Sequence, residues 1–334
     1  MMMKFKKYNS IENSYQKKVI EQIYFHGFNN HIFVVQEKVH GANFSFITDG
    51  NEILCAKRSG FLAKDEQFYN YQYVLKNHKE RILKLFKKVK KIYKNIETIS
   101  IFGELFGGFY PHDKVAQAAN MTMVQKGIHY CPENDFYAFD ILVNTETYLD
   151  VETCNKLFEE TGFFYAKTLK KGTLKTVLKY PNLFISNIPK WKGLPTIKNN
   201  TCEGIIIRPE TPLVFGNGSR VILKNKNEKW AEKVKKQKVE RIDMPLTEDA
   251  RNAWNNLECF ITSNRLKNVL GKEGEFEAKM IGKLIGLMAQ DVLQDFLKEH
   301  AEIWESIDKT EQKKLKKMMN NSIVALIKKG LMGI

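Results

Sequence analysis

The chain has 334 residues, 43% of them hydrophobic, which is enough for one large domain or two smaller ones. Its formal net charge of +15 favours a polyanionic partner such as nucleic acid, although a solvated lysine-rich surface would give the same excess. No apolar run reaches the roughly 18 residues of a membrane-spanning helix, so we expect no membrane partner.

Apolar runs between residues 30 and 60 predict strands on either side of one short polar string. Residues 32–35 form a continuous apolar run, residues 43–47 alternate with period two, and an Asp-Gly-Asn turn precedes a further run. The string EKVHGAN at residues 37–43 places Lys38 between the runs, before a glycine turn. This arrangement suits a lysine that acts as a nucleophile at a fixed position.

Residues 74–94 have the periodicity of an amphipathic helix. The predicted apolar face comprises Ile82, Leu85, Phe86, Val89 and Tyr93. Lysines occupy the opposite face, which is either solvated or in contact with nucleic acid. Further strands are predicted at residues 98–102, 136–142, 204–207 and 220–224, with an Asn-Gly turn before the last.

The sequence changes character near residue 230. A charged stretch at 229–241 is followed by Pro245 and then by Thr247-Glu248-Asp249, a hydroxyl and two acids that are typical of a helix start. The pattern is helical from there to the end. We therefore predict an α+β fold in two domains, residues 1–240 and a helical domain at residues 245–334.

The five cysteines are widely spaced and include no CxxC pair, so neither a structural zinc site nor a disulfide framework is indicated. Residues 1–7 lack the apolar core of a signal peptide. We therefore expect an intracellular, reducing compartment.

Two further lysines could influence the chemistry of Lys38. Lysine has a reference pKa near ~10.4 and must be neutral to attack phosphorus. Lys224 and Lys226 are two residues apart at a predicted strand end and thus share a face. They could lower the pKa of Lys38 and neutralise phosphate charge, or simply be an exposed strand end. His40 is either structural or part of the same chemistry.

Two carboxylates and an aromatic residue stand beside predicted strands. Glu104 is flanked by glycines that allow close approach of a ligand, and it can accept hydrogen bonds from ribose. Glu203 opens an apolar strand and offers oxygen ligands to a divalent cation. Phe139, before Asp140, stacks on a base or belongs to the core. Arg58 can bind phosphate or ribose in a forked manner.

In order along the chain, these segments resemble the nucleotidyltransferase motifs of the phage RNA ligase 2 family, which includes the kinetoplastid RNA-editing ligases. Residues 38–41 resemble the nucleophile motif KxHG; DNA ligases and capping enzymes usually carry aspartate in place of His40. The family's remaining motifs are resembled, in order, by residues 56–60, 102–104, 136–140, 203–204 and 223–226. Residues 264–269 and 286–292 are similar to the family's helical domain.

The resemblance implies an ATP-dependent RNA ligase that seals 5′-phosphate/3′-hydroxyl nicks through lysyl-AMP and RNA-adenylate intermediates. It implies a nucleotidyltransferase domain of antiparallel sheets with flanking helices, followed by a small helical nucleic-acid-binding domain. The expected cofactors are ATP and Mg²⁺ or Mn²⁺. The expected partner is nicked duplex RNA or an RNA/DNA hybrid, bound by a monomer.

The resemblance also implies the roles of individual residues. Catalysis is assigned to Lys38, His40, Lys224 and Lys226, with His40 supporting the later steps. The ATP site is assigned to Glu37, Lys38, Asn43, Arg58, Glu104, Phe139, Lys224 and Lys226. Glu203 is assigned to the metal, and Asp140 and Arg208 are further candidates.

The sequence departs from the family at two places. Arg208 stands where the family often has lysine, and residues 111–122 form a longer segment. Two other functions remain open at this point, an mRNA guanylyltransferase that uses GTP and a non-catalytic RNA-binding protein on the same scaffold.

Overall fold

The computed structural model describes residues 3–233, 246–274 and 280–331, and the chain divides into two compact units. The first comprises Met1–Lys229 with Gly271–Gly274, and the second comprises Trp230–Leu270 with Glu275–Ile334. The predicted domain boundary near residue 240 lies outside the described residues. The predicted α+β class is confirmed, with mainly antiparallel sheets in the first unit and helices in the second.

The first unit contains two sheets. The five strands of the first sheet are, in spatial order, β1 (Glu12–Asn13), β11 (Leu223–Lys226), β10 (Gly204–Pro209), β2 (Phe33–Lys38) and β9 (Thr168–Gly172). Strand β10 pairs antiparallel with both β2 and β11, whereas β1 pairs in parallel with β11. The register places Gly204 opposite Lys38 on one side and opposite Lys226 on the other, so the ends of three strands meet.

The six strands of the second sheet are, in spatial order, β5 (Gly60–Phe61), β4 (Ile53–Lys57), β3 (Ala42–Thr48), β6 (Ile99–Gly107), β7 (Asn134–Val143) and β8 (Thr147–Tyr148). All of its ladders are antiparallel. The register sets Asn43 of β3 opposite Glu104 of β6. A bulge follows Phe102, whose partner on β7 is Asp140.

The main core of the first unit lies between this second sheet and two helices, α2 (Tyr71–Ile92) and α3 (Val151–Thr161). Side chains alternate across a strand, so Phe44 and Phe46 of β3 enter that core while Asn43 faces the opposite side. The predicted helix at 74–94 is present, and four of its five predicted core residues are buried within it. The fifth, Tyr93, follows the last helical residue and is partly buried.

Other elements of the first unit were not predicted. They are the strands β1, β5, β8 and β9, the helices α1 (Lys17–Phe25), α3, α4 (Leu174–Val177) and α5 (Ile188–Trp191), and the 3-10 helix Phe28–Asn30. The predicted strand at 220–224 was wrong at its start, since β11 begins at Leu223. Arg220 instead forms an isolated bridge with Val214, and its guanidinium pairs with the buried Asp140.

The second unit is helical in the part that the structure describes. Its elements are the 3-10 helix Glu228–Trp230 at the boundary, α6 (Glu248–Leu257), the 3-10 helix Glu258–Phe260, α7 (Ser263–Glu273), α8 (Ile281–Glu305) and α9 (Lys309–Leu331). The Thr247 side chain accepts a hydrogen bond from the Ala250 N–H, as the helix-start pattern predicts.

The core of the second unit follows the predicted face of α8. Leu284, Met288, Val292 and Phe296 are buried in it, whereas Ile281 at the helix start is 38% exposed. Across the described ranges, no helix has both the length and the apolarity needed to cross a membrane.

Candidate active site

The candidate site lies in the first unit, where the register of the first sheet brings three motifs together. Lys38 ends β2, Gly204 begins β10 directly after Glu203, and Lys226 ends β11. A Cβ atom at Gly204 would lie 2.2 Å from the carbonyl oxygen of Asn225, so only glycine permits this approach of the strands. The lysines of two strands therefore converge on one carboxylate.

That carboxylate, Glu203, is 1% exposed and binds a lysine through each oxygen. Lys38 Nζ lies 2.7 Å from Oε2, and Lys226 Nζ lies 2.7 Å from Oε1. The Nδ1 atom of His40 is 3.8 Å from Oε2. Burial acts to raise the pKa of Glu203, but the charges of Lys226, Lys38 and His40 outweigh it and lower the pKa to about 2. Glu203 is therefore ionised at neutral pH.

Glu104 is the second carboxyl group of the site; it is partly buried and lies on β6 of the second sheet. Burial raises its pKa to about 7, against the lowering effects of Lys38, Arg58 and a hydrogen bond from Asn43. Its Oε2 atom is buried and has no hydrogen-bond partner among the described residues. An unsatisfied buried oxygen of this kind is suited to bind a hydroxyl group of a ligand.

The glycine turn after Lys38 packs tightly against β6. A Cβ atom at Gly41 would lie 2.1 Å from the carbonyl oxygen of Leu105. The N–H group of His40 donates to the hydroxyl of Tyr130 at 2.9 Å. Tyr130 was not predicted as a site residue, because its segment between β6 and β7 carries no periodic signal.

The Glu37 carboxylate is hydrogen-bonded to a different segment of the chain. It is 1% exposed and accepts hydrogen bonds from Ser186 Oγ at 2.6 Å and from the Asn187 N–H and Nδ2 at 2.9 and 3.1 Å. Its backbone carbonyl accepts from the Tyr137 hydroxyl at 3.3 Å. The side chain therefore holds the segment that contains Ser186, and neither Ser186 nor Asn187 was predicted.

Asp140 and Arg208 belong to a second buried ionic network. Asp140 Oδ2 accepts from the Tyr8 hydroxyl at 2.7 Å, from Arg208 at 2.8 Å and from Arg220 at 2.7 Å. Burial acts to raise the pKa of Asp140, but the two guanidinium groups lower it. Arg208 also donates to the carbonyl oxygen of Phe139 at 2.8 Å, so its charge is used to hold this strand.

Phe139 itself is partly buried. It lies with Ile206 at the edge of a small apolar cluster built around Tyr8 and Phe102. The ring centroids of Phe139 and Tyr8 are 5.1 Å apart. Phe139 of β7 and Ile206 of β10 are thus both partly buried and pack against the same cluster.

Lys224 lies two residues before Lys226 on β11, opposite Ile206, and is partly buried. The carbonyl oxygen of Lys224 accepts a hydrogen bond from Ser14 at 2.9 Å, next to β1. Strand β1 therefore fixes the outer edge of β11, the strand that carries Lys224 and Lys226.

Comparison with known proteins gives two family matches. A family model described as RNA ligase matches residues 31–226, and one described as T4 RNA ligase 2 C-terminal matches residues 244–325.

The chain is also similar to curated and solved proteins. It is 28% identical to the mitochondrial RNA-editing ligase 2 of Trypanosoma brucei brucei, over 88% of this chain and 83% of that protein. RNA-editing ligase 1 of the same organism is 26% identical, over 84% and 73%. A solved Naegleria gruberi RNA ligase mutant with ATP and Mn aligns with a TM-score of 0.46 and 14% identity, over 68% of this chain and 57% of that one.

Proposed function

The chain belongs to the RNA ligase family, and from that premise we propose that it joins 5′-phosphate and 3′-hydroxyl ends of RNA with ATP as the adenylate donor. The observation that carries the proposal is the position of Lys38, whose amine is held at a buried carboxylate that also binds Lys226. Adenylate passes from ATP to Lys38 and then to the RNA 5′-phosphate. The 3′-hydroxyl finally attacks that phosphate and releases AMP.

In the first step the Lys38 amine attacks the α-phosphorus of ATP. A nitrogen–phosphorus bond forms, the bond to pyrophosphate breaks, and Lys38 loses one proton to become nucleophilic and a second as the phosphoramidate forms. The contact with Glu203 holds Nζ at one point before the nucleotide arrives, which reduces the entropy lost in reaching the reactive geometry. Lys226 and Lys224 neutralise charge on the phosphates as it moves toward pyrophosphate.

The nucleoside is held mainly by residues of the second sheet. The unpartnered Oε2 of Glu104 supports a hydrogen bond to a ribose hydroxyl, with Asn43 and Arg58 beside it. The partly buried Phe139 ring, which packs against the same cluster as Ile206, supports stacking of adenine. Glu37 contributes through its backbone, since its carboxylate is engaged by Ser186 and Asn187.

Glu203 also fits a divalent cation. It is ionised in the folded chain, and its carboxylate offers the hard oxygen ligands that Mg²⁺ and Mn²⁺ prefer. When bound, the ion supplies positive charge beside the phosphates.

We further propose that the substrate is a nick in duplex RNA. The match of residues 244–325 to the C-terminal model of T4 RNA ligase 2 supports this, because resemblance to that family implies nick sealing in duplexes. The positive charge of the chain supports phosphate contacts on both sides of a nick.

A sealing assay tests the proposal. A labelled RNA strand with a 5′-phosphate is paired beside a 3′-hydroxyl strand on an RNA complement, on a DNA complement, or without a complement, with Mg²⁺ and with ATP or GTP. We expect the enzyme to be labelled with AMP from ATP but not with GMP from GTP. We expect the strands to be sealed only when they are paired with a complementary strand. Equal joining of free strands would contradict the duplex substrate, and transfer of GMP to the enzyme would favour a guanylyltransferase.

A further inference from the structure

Tyr130 lies in the segment between β6 and β7 and is completely buried. Its hydroxyl accepts a hydrogen bond from the backbone N–H of His40 at 2.9 Å, across 90 residues of sequence. Burial raises the pKa of this hydroxyl well above its usual value, so the group remains a neutral phenol. A buried phenol thus binds the backbone two residues after the nucleophile.

The position of Tyr130 is itself fixed. Its neighbour His129 donates its N–H to Asn200 Oδ1 at 2.9 Å and accepts from Asn200 Nδ2 at 2.6 Å. The Tyr130 ring packs edge-on against Phe106 of β6, with centroids 5.6 Å apart. Because Asn200 is only 4% exposed, this double hydrogen bond is shielded from water.

The turn that Tyr130 holds carries His40 toward Glu203. On one side the turn is pressed against β6 at Gly41, and on the other it is bound by the Tyr130 hydroxyl. The His40 ring then lies with Nδ1 3.8 Å from Glu203 Oε2. The Lys38 amine has a 2.7 Å ion pair of its own with the same carboxylate, and this ion pair does not involve Tyr130.

We propose that Tyr130 is a positioning residue for the transfer of AMP from Lys38 to the RNA 5′-phosphate, and that it acts through His40. This inference rests on the proposed function. In that step the nitrogen–phosphorus bond breaks, a bond forms between phosphorus and an oxygen of the RNA phosphate, and Lys38 takes up a proton as it leaves. The His40 ring follows its backbone, so loss of the Tyr130 hydroxyl displaces the ring while the nucleophile stays in place.

The test compares two steps in one variant. Tyr130→Phe keeps the buried ring and removes the hydrogen bond to His40. We expect lysyl-AMP formation to stay within about twofold of wild type, and AMP transfer from purified lysyl-AMP enzyme to RNA to slow about fivefold or more, as expected for loss of one hydrogen bond. Equal slowing of both steps would overturn the inference.

Tyr110→Phe is the matched control. Tyr110 is also completely buried, and its hydroxyl donates to the carbonyl oxygen of Pro195, which is not a residue of the candidate site. We expect this variant to lose a similar amount of stability in thermal unfolding and to keep both rates. A selective loss of AMP transfer in Tyr110→Phe would also overturn the inference, because any buried hydroxyl would then have the same effect.

A double-mutant cycle separates action through His40 from a general loss of order. If Tyr130 acts through His40, adding Tyr130→Phe to His40→Ala leaves the AMP-transfer rate unchanged within about twofold. Multiplication of the two losses would overturn the inference.

A second variant covers the case in which Tyr130→Phe does not fold. Asn200→Ser removes the double hydrogen bond to His129 and retains Tyr130, and it should show the same selective slowing of AMP transfer. Equal loss of both steps in Asn200→Ser would contradict the inference. Failure of the proposed function is distinguishable, because it appears in the wild-type enzyme as absence of lysyl-AMP.

Discussion

At the level of single residues, the main feature of the molecule is a buried carboxylate that binds a lysine on each of its oxygens. Exposed ion pairs contribute little to stability, but Glu203 is 1% exposed and both of its partners are largely shielded. Removing the carboxylate would take a counter-charge away from two largely shielded ammonium groups, which is costly in a buried setting. Glu203 therefore stabilises the site as well as holding the Lys38 amine in place.

The nucleophile assignment predicts the behaviour of Lys38→Arg. Arginine can retain the ion pair with Glu203 but stays protonated and cannot attack phosphorus. We expect no detectable transfer of labelled AMP to this variant, with a change in unfolding free energy of less than about 1 kcal/mol. Lys175→Arg, at an exposed position on α4, is the control and should label normally. Labelled Lys38→Arg protein would mean that another residue is the nucleophile.

Glu104 predicts a pH dependence of stability. Its pKa is about 7 in the folded chain, whereas an unfolded glutamate has a pKa near ~4.3. The folded state therefore binds more protons between these values, and its stability falls as pH rises through them. We expect the unfolding free energy of wild type, relative to Glu104→Gln, to fall by roughly 3 kcal/mol between pH 4 and pH 8.

Denaturant unfolding of both proteins at a series of pH values measures this difference. Subtracting the Glu104→Gln curve removes the contributions of the other titrating groups. Parallel curves for the two proteins would show that Glu104 keeps an ordinary pKa when the chain is folded.

At the level of elements, α2 has one face in the core and one face rich in positive charge. It carries seven lysines, one arginine and one glutamate. Lys88 pairs with Glu160 of α3 at 2.6 Å, while Lys84, Lys87 and Lys91 are exposed. Because α2 packs on the side of β3 opposite to Asn43, contacts with RNA here would lie apart from the nucleotide site.

Charge reversal on α2 decides between a solvated face and a nucleic-acid contact. If the face binds phosphates, changing Lys84, Lys87 and Lys91 to Glu weakens RNA binding and lowers the slope of log affinity against log salt by about 0.7–0.9 for each lost contact. The control reverses three exposed lysines elsewhere in the first unit: Lys170, Lys175 and Lys179. Equal effects of both triple variants would indicate a response to net charge alone.

At the level of the whole molecule, the two units have separate apolar cores. The core beneath the second sheet contains residues of the first unit only, and the helical core around Met288 and Phe296 contains residues of the second. All the site residues discussed above lie before residue 230. The chemistry of lysyl-AMP formation can therefore be separated from the helical unit by experiment.

Truncation after residue 243 tests this separation. We expect the shortened chain to form lysyl-AMP within about tenfold of the wild-type rate and to lose strand sealing by at least about a hundredfold, because contacts to RNA would be missing. Single-turnover labelling and nick sealing measure the two activities, and thermal unfolding checks that the remaining unit is folded. Equal loss of both activities would indicate that the helical unit has a role in stability only.

The sequence by itself determined the α+β class, helix α2, the helical C-terminal region and the order of the motifs around Lys38. These depend on local signals, namely apolar periodicity, turn residues and short strings, which can be recognised without knowing what they contact. Features that depend on strand register could not be predicted from the sequence. One example is Arg220. The local apolar pattern assigned it to a strand, whereas in the structure its guanidinium forms an ion pair with the buried Asp140.

Only the tertiary structure decided which residues, distant in sequence, contact one another. Lys38 and Glu203 are 165 residues apart, Glu37 and Ser186 are 149 apart, and Tyr130 and His40 are 90 apart. Their distances follow from the strand register, from glycines that let strands approach, and from burial that leaves polar groups no water to bind. Residue identity therefore indicates the chemistry that a side chain can perform, whereas packing selects its partner and sets its charge.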